Sequence, residues 1–330
     1  MARRYSRRKS KRRRWIYNIS ALLVIAAAVV FVYGPSVKNS KETSAALADT
    51  YIGNETFPPA PQPKLLEAEL TPTAKPNPKV ERLFAEAMKH LNVKPARIIK
   101  ARQILNETLS LPMSSQQRAS VKEQLSKPAD KWLFSRTIYP EDTLCSAYKV
   151  KPGDLLSTIG KQFKVPYEIL REINKILRPN TLQAGETIKV INGPFHARIY
   201  RSSFTMDLYL QDTFVRSFPV GLGKPGMETP TGLWAVKASG KLIMPTWTNP
   251  MSGKRYEADD PDYPLGSRWI GLEGLKGDAV GRTGFAIHGT KDAKEIGTAS
   301  SQGCIRMHDS DAILVYNLLV PLYSRVEIVE

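Results

Sequence analysis

Between Trp15 and Tyr33 runs a nineteen-residue apolar stretch, WIYNISALLVIAAAVVFVY, interrupted only by Asn18 and Ser20. Residues 1–14, directly before it, hold nine Lys or Arg and no acid. A helix of that length reaches about 28 Å at about 1.5 Å per residue, close to the ~30 Å hydrocarbon core of a bilayer. The positive-inside rule holds the basic block (1–14) in the cytoplasm and sends everything after Tyr33 across the membrane. Trp15, Tyr17 and Tyr33 fall near the two interfaces, where amphipathic rings prefer to sit. The rival is a cleaved signal peptide. Ala46-Leu47-Ala48 has the small-x-small form of a cleavage site, but it lies too far beyond the apolar run for ordinary processing. The expectation is a single-pass anchor over 15–33 in the cell inner membrane, with the remaining chain in the periplasm or otherwise outside the cytoplasm.

The basic tail also disposes of a nucleic-acid reading. The chain of 330 residues carries a formal charge of +17, but without the tail 39 basic residues face 31 acidic ones. No nucleic-acid partner is assigned. The mild surplus favours approach to an anionic polymer through long-range attraction. Apolar residues at 42% and charged residues at 24% suit a folded bulk, and the length suits two or three domains. With only Cys145 and Cys304 there is no disulfide framework, so hydrophobic cores must hold the fold. Cys145, in LCSAY, reads as a small buried hydrophobe. Cys304 is left free to react.

Residues 34–78 read as a linker, because seven prolines fall between Pro58 and Pro78 and no apolar periodicity survives there. Over 79–127 the pattern is helical. Val80, Leu83, Phe84, Ala87 and Met88 form one stripe, Ile98, Ala101, Arg102 and Leu105 a second, and Ser114-Ser115 opens a third segment through Val121 and Leu125. No second copy appears at a fixed period, so a helical spacer is expected rather than a repeat array.

Residues 148–191, YKVKPGDLLSTIGKQFKVPYEILREINKILRPNTLQAGETIKVI, read strand, helix, helix, strand. Asp154 is expected to cap a helix with Leu155, Ile159 and Phe163 on its apolar face. Pro166 opens the next, with Ile169, Leu170 and Ile173 inward, and Gly185 turns the chain into Thr187–Ile191. Through the Lys-Pro-Gly-Asp turn of 151–154, Asn174 and the Gly185-led last strand, the segment resembles a LysM domain. That resemblance implies binding of N-acetylglucosamine-containing glycans such as peptidoglycan. The implied binding edge comprises Gly153, Asp154, Leu155, Ile176 and Asn180, although Lys175-Ile176-Leu177-Arg178 departs from the shorter, more polar loop usual there.

From 194 onward the texture is mainly β. Phe204, Met206, Leu208 and Leu210 alternate with polar partners, the period of a half-buried strand, and Gln211-Asp212 turns the chain back through Phe214–Val220. The stretch from Pro245 to Arg268 reads as a long irregular insertion, and long loops in compact domains are often binding loops. Trp247, Tyr256 and the adjoining Trp269 are taken as its substrate-binding residues.

FAIHGT at 285–290 and SQGCIRM at 301–307 carry the chemistry. A cysteine nucleophile must be a thiolate, and a free thiol of pKa about 8.5 is only slightly ionised at neutral pH. An imidazole can take that proton, and His288 is placed at the end of an apolar strand, Gly284–Ile287. Gly289 lets the backbone bend and offers its carbonyl to orient the ring. Gly303 permits an unusual backbone, so that the N–H groups of Gly303 and Cys304 can face an oxyanion. On a strand, Arg306 lies on the side of Cys304, suited to a thiolate or a substrate carboxylate. Ser301 is available for a hydrogen bond within the loop. His288, Cys304, His308 and Asp309 lack the short paired spacing of a zinc site, so no metal is expected. His90 and His196 read as surface or interdomain residues.

The pattern H-G-T, then S-x-G-C-I-R, with sixteen positions from His288 to Cys304, resembles the YkuD-type L,D-transpeptidase motif at every motif position. Thr229-Pro-Thr-Gly232 and Pro264-Leu-Gly266 are similar to that family's upstream segments. The resemblance covers 194–330 and implies a cofactor-free, mainly-β catalytic domain. It implies that Cys304 attacks a tetrapeptide stem of peptidoglycan, releases D-alanine, and passes the acyl group to a neighbouring amine as a 3→3 cross-link. Water as acceptor would make the protein an L,D-carboxypeptidase, and a protein amine would attach that protein to the wall. Two other readings stand beside it: a non-catalytic glycan-binding wall anchor, and a general thiol protease. The expected architecture is therefore multidomain: a transmembrane anchor, a small helical region, a βααβ LysM domain (148–191) and a mainly-β catalytic domain (194–330).

Overall fold

The computed structural model describes residues 75–330. The basic tail, the expected anchor and most of the expected linker lie outside the described residues, and among the described residues no helix is long and apolar enough to cross a membrane.

Three helices come first: α1 (Pro78–Asn92), α2 (Ile98–Thr108) and α3 (Ser115–Ser126). The Asn77 side chain accepts the Lys79 N–H at the start of α1, and Ser114 with Gln117 forms a reciprocal capping box on α3. The three helices are not a spacer. Val80, Ala101, Leu105, Val121 and Leu125 share one buried cluster with Tyr209 and Phe214, which belong to the sheet downstream. The Asn106 side chain donates to Asp212 O at 3.2 Å and accepts the Phe214 N–H at 3.0 Å, so α2 satisfies backbone groups at the sheet's edge. Without a second face to bury, each amphipathic helix would leave its apolar stripe in water; the sheet supplies that face.

The LysM-like module is strand β1 (Cys145–Lys149), helices α5 (Leu156–Gln162) and α6 (Tyr167–Ile173), and strand β2 (Thr187–Ile191), after a single helical turn, α4 (Ala129–Trp132). β1 and β2 pair antiparallel from Cys145↔Ile191 to Lys149↔Thr187. Asn174 ties α6 to β2, donating to Leu170 O and Lys189 O and accepting the Lys189 N–H. Asp154 does not cap α5. Its carboxylate instead accepts the Lys151 N–H and the Tyr148 hydroxyl, both at 2.8 Å, which spends it on closing the turn. The helix therefore starts one residue later than expected: Leu156 and Ile159 are buried, while Leu155 is 59% exposed.

The module does not hang free. Lys189, fully buried, donates its ammonium to the carbonyls of Trp132, Ser135 and Thr137 at 2.6, 2.9 and 2.7 Å. A buried ammonium is tolerated only when such acceptors replace its water. Gly193 N donates to Phe163 O, and one continuous apolar cluster runs from Ile159 and Val165 into Ile199, Trp234 and Ile287 of the domain that begins at 194.

That domain is built on one eight-stranded sheet, ordered β13-β11-β10-β7-β14-β3-β4-β5. Its strands are β3 (Phe195–Tyr200), β4 (Thr205–Leu210), β5 (Thr213–Pro219), β7 (Gly232–Ile243), β10 (Arg268–Lys276), β11 (Ala286–Thr290), β13 (Ile305–His308) and β14 (Arg325–Val329). The β11–β13 and β14–β3 pairs are parallel and the others antiparallel. The β4–β5 hairpin forms as its alternation predicts, but β4 is covered on both faces. Asp207 and Tyr209, expected on a solvent face, are buried, and Asp207 accepts from Lys122 of α3 and from Ser217. His196, read as a surface or interdomain residue, is buried in β3, where its Nδ1 accepts the Arg325 N–H. Helix α7 (Asp309–Tyr316) follows β13 directly.

Candidate active site

The parallel pairing of β11 with β13 sets Ile287 beside Ile305 and His288 beside Arg306. Side chains alternate along a strand, so Ala286 and His288 share one face with Arg306 and with Cys304, which immediately precedes β13. His288 is not at a strand end. β11 runs on through Gly289 and Thr290, because both pair with Met307 and His308.

His288 is 3% exposed, and its Nδ1 lies 2.6 Å from Gly289 O. That contact assigns the proton of the neutral ring to Nδ1 and leaves Nε2 as the basic atom. Its ring stacks on Trp269, the cross-strand neighbour on β10, with centroids 5.5 Å apart and planes at 14°. Burial brings the imidazole down to about 4; the Gly289 and Leu265 carbonyls oppose that shift and the charge of Arg306 assists it. Burial raises Cys304 as well, against the Ala286 N–H and Arg306, which favour the thiolate. Burial thus disfavours the charged form of both groups, and the thiol donates to Gly284 O at 3.6 Å.

The loop before Cys304 is fixed by Ser301. Its hydroxyl donates to Cys304 O at 2.6 Å and accepts the Gly303 N–H at 3.1 Å. Gly303 N–H is thus spent inside the loop and is not an oxyanion donor as the sequence suggests, which leaves Cys304 N–H as the candidate. Gly303 has φ +112°, and a Cβ there would meet the Phe285 ring at 2.6 Å, so only glycine fits. Thr229, in the Thr-Pro-Thr-Gly segment, donates to Gly303 O at 2.9 Å and accepts the Gly223 N–H at 3.0 Å. Arg306 is held by Glu295 at 2.6 Å, and Glu295 also accepts the Thr290 hydroxyl. Sequence reasoning missed Glu295: a lone acid in a polar loop carries no signal until the fold sets it beside Arg306.

The insertion contains a two-stranded ribbon, β8 (Trp247–Thr248) with β9 (Arg255–Tyr256). Trp247 and Tyr256 stack on one another at 6.0 Å, and Lys254 lies over Tyr256. Of the three aromatic residues expected at the substrate, Trp269 is the one in contact with His288. Lys291, just past β11, donates to Pro261 O and Asp262 and so ties the insertion to the catalytic strand. On the LysM-like edge, Gly153 takes φ +86° and Asn180 is exposed. Ile176, expected as a glycan contact, is half-buried against the core, and Leu155 and, at 91%, Leu177 are exposed.

A cysteine and a histidine on one face of adjacent strands, with the ring oriented by a carbonyl, define a thiol acyl-transfer site. Residues 194–328 match the YkuD family, the L,D-transpeptidase catalytic domain, and residues 148–190 match the LysM domain. The chain is 30% identical over 188 residues to the L,D-transpeptidase YkuD of Bacillus subtilis, spanning 55% of this chain and 97% of that protein. Its Bacillus licheniformis counterpart is 29% identical over the same shares. The L,D-transpeptidase ErfK/SrfK of Escherichia coli is 29% identical over 201 residues, 57% of this chain and 56% of that protein. The chain belongs to the YkuD family of L,D-transpeptidases and is itself an L,D-transpeptidase.

Proposed function

We propose that this enzyme cross-links peptidoglycan through a thioester on Cys304, with His288 as base and then acid. The observation that carries the reading is the parallel register that sets His288 beside Arg306, two residues beyond Cys304, with Gly289 O on Nδ1. Because burial disfavours the charged form of both groups, His288 Nε2 takes the thiol proton as Sγ attacks the carbonyl that precedes the terminal D-alanine of a tetrapeptide stem. The oxyanion forms against the Cys304 N–H. The C–N bond then breaks, the D-alanine amine leaves with the proton from Nε2, and Sγ holds the acyl group as a thioester. A side-chain amine of a neighbouring stem attacks next, transferring its proton to Nε2 and releasing the thiol with a 3→3 cross-link. Arg306, held by Glu295, keeps a positive charge beside the thiolate and the oxyanion through both half-reactions. The LysM-like module supplies glycan affinity through Gly153, Leu155, Leu177 and Asn180.

The proposed place of the site in the cell rests on the sequence alone. The apolar run 15–33 behind a basic block fits an inner-membrane anchor, with the catalytic unit in the periplasm or otherwise outside the cytoplasm. Peptidoglycan, the proposed substrate, lies on that side.

Purified enzyme incubated with tetrapeptide muropeptides, followed by mass spectrometry, tests the reading. Loss of D-alanine with formation of 3→3 dimers is expected from the native protein, and neither from Cys304→Ala. Tripeptide without dimers would replace transpeptidation by L,D-carboxypeptidation. An unchanged product profile in Cys304→Ala would sink the thioester mechanism.

A further inference from the structure

Asp309 opens α7 immediately after the catalytic strand, and nothing in the chemistry above uses it. Its Oδ1 accepts the Ser267 N–H at 2.6 Å. The same oxygen occupies the space where a Cβ would stand on Gly266 and on Gly289, and those two glycines pack directly against each other. Gly266 follows Leu265 with φ +62°, and Gly289 follows His288. The carbonyl that His288 Nδ1 bonds belongs to Gly289, one of the two glycines that this carboxylate touches.

We propose that Asp309 is a positioning residue of the acyl-transfer site: its carboxylate, seated on Gly266 and Gly289 and bonded to Ser267 N, fixes the Gly289 carbonyl that orients His288. Three segments distant in sequence meet at this one oxygen: the end of the insertion, the catalytic strand and the first turn of α7. The absence of side chains at 266 and 289 has its reason here. Gly289 is not a bend, since it continues the β11 ladder; it is glycine because Asp309 lies against its α-carbon. A carbonyl that drifts by a fraction of an ångström lets the ring turn, and Nε2 then loses its line to the thiol. Charge is not the essential property. An acceptor oxygen of the same reach should serve, so asparagine should replace the aspartate and alanine should not.

The proposal rests on the thioester reading, and the experiment separates the two. Acylation of Cys304 in the native protein and in Asp309→Asn and Asp309→Ala is followed by stopped-flow with a carbapenem and by mass spectrometry, across pH 4 to 9. Thermal melts of each variant correct the rates for the folded fraction. Asp309→Ala is expected to acylate at least tenfold more slowly, with the acid limb of its pH profile displaced and KM for a tetrapeptide substrate nearly unchanged. Asp309→Asn is expected to stay within about threefold of native with an unshifted profile. If alanine does not fold, Asp309→Ser, with its shorter reach, is expected to show the same slow, shifted acylation. An alanine variant (or the serine in its place) that acylates at the native rate with the native profile overturns the positioning role alone. A native protein that never acylates at Cys304 overturns the thioester reading and this proposal with it. An asparagine variant as slow as alanine also overturns the proposal, because the geometric account requires the oxygen and not its charge.

Discussion

The ring of Trp269 lies face to face with that of His288, directly across the β10–β11 pair, with centroids 5.5 Å apart. Stacked rings of this kind contribute roughly 0.5–1.5 kcal/mol beyond the area they bury. The indole also keeps water off the imidazole, and burial is the main reason His288 stands at about 4. Replacing Trp269 by Ala is therefore expected to raise the His288 value toward its ordinary range and to slow acyl transfer, whereas Trp269→Phe should hold both near native. Proton NMR titration of the ring, alongside rates of D-alanine release, measures the two effects together. An unshifted titration in the alanine variant would remove the indole from this role.

Ser301 closes the loop that presents the nucleophile, through one bond to Cys304 O and one from Gly303 N. Ser301→Ala loses both and leaves a buried N–H unpaired, a cost of about 1–3 kcal/mol. The expected result is a fall of roughly tenfold or more in kcat, since a factor of ten corresponds to about 1.4 kcal/mol in the barrier. Steady-state kinetics on a tetrapeptide substrate checks it, and a native kcat would show that the loop holds its shape without this hydroxyl.

Acid should destabilise the fold through its buried histidines. Both His288 and His196 are brought down to about 4, chiefly by burial. An unfolded histidine titrates near 6.5, so between about 6.5 and 4 the unfolded chain binds protons that the folded one refuses. Stability is fully present above that window and is lost as pH falls through it, by roughly 3 kcal/mol for each ring. Urea denaturation from pH 7 to 4 should show the decline, and His196→Gln should flatten its slope. A slope identical to native would exclude His196 as a contributor.

Lys189 welds the LysM-like module to the 132–137 segment through three carbonyls. Lys189→Met keeps the stem's apolar packing but strands the three acceptors, so a loss of several kcal/mol is expected. Proteolysis should then open the chain between 133 and 144 first. Resistance equal to native would mean that the apolar contacts alone hold the module.

The outline of the fold and the candidate pair were legible in the sequence because both are local signals. Alternation over 204–210 gave β4, the Pro166 and Gly185 punctuation framed the LysM-like module, and H-G-T with S-x-G-C-I-R named His288 and Cys304. The errors fell where a residue's surroundings come from elsewhere in the chain. Asp154 has the chemistry of a helix cap, but Tyr148 and Lys151 claim it first. The helices over 78–126 have the pattern of a self-contained spacer, yet their apolar faces are completed by Tyr209 and Phe214 of the catalytic sheet. The Gly303 N–H has the place in sequence of an oxyanion donor, but the Ser301 hydroxyl accepts it.

The sequence by itself determined the candidate groups for the chemistry: one thiol and one imidazole, with glycines that let the chain pass close to them. Only the tertiary structure decided their electrical state and their aim. Burial, with Trp269 stacked on the ring, lowers the His288 imidazole, burial raises the Cys304 thiol, and the carbonyl that directs the ring belongs to Gly289, packed with Gly266 against Asp309. Desolvation and cross-strand register are sums over neighbours distant along the chain, so a local pattern of residues can name the groups but cannot fix their ionisation or their orientation.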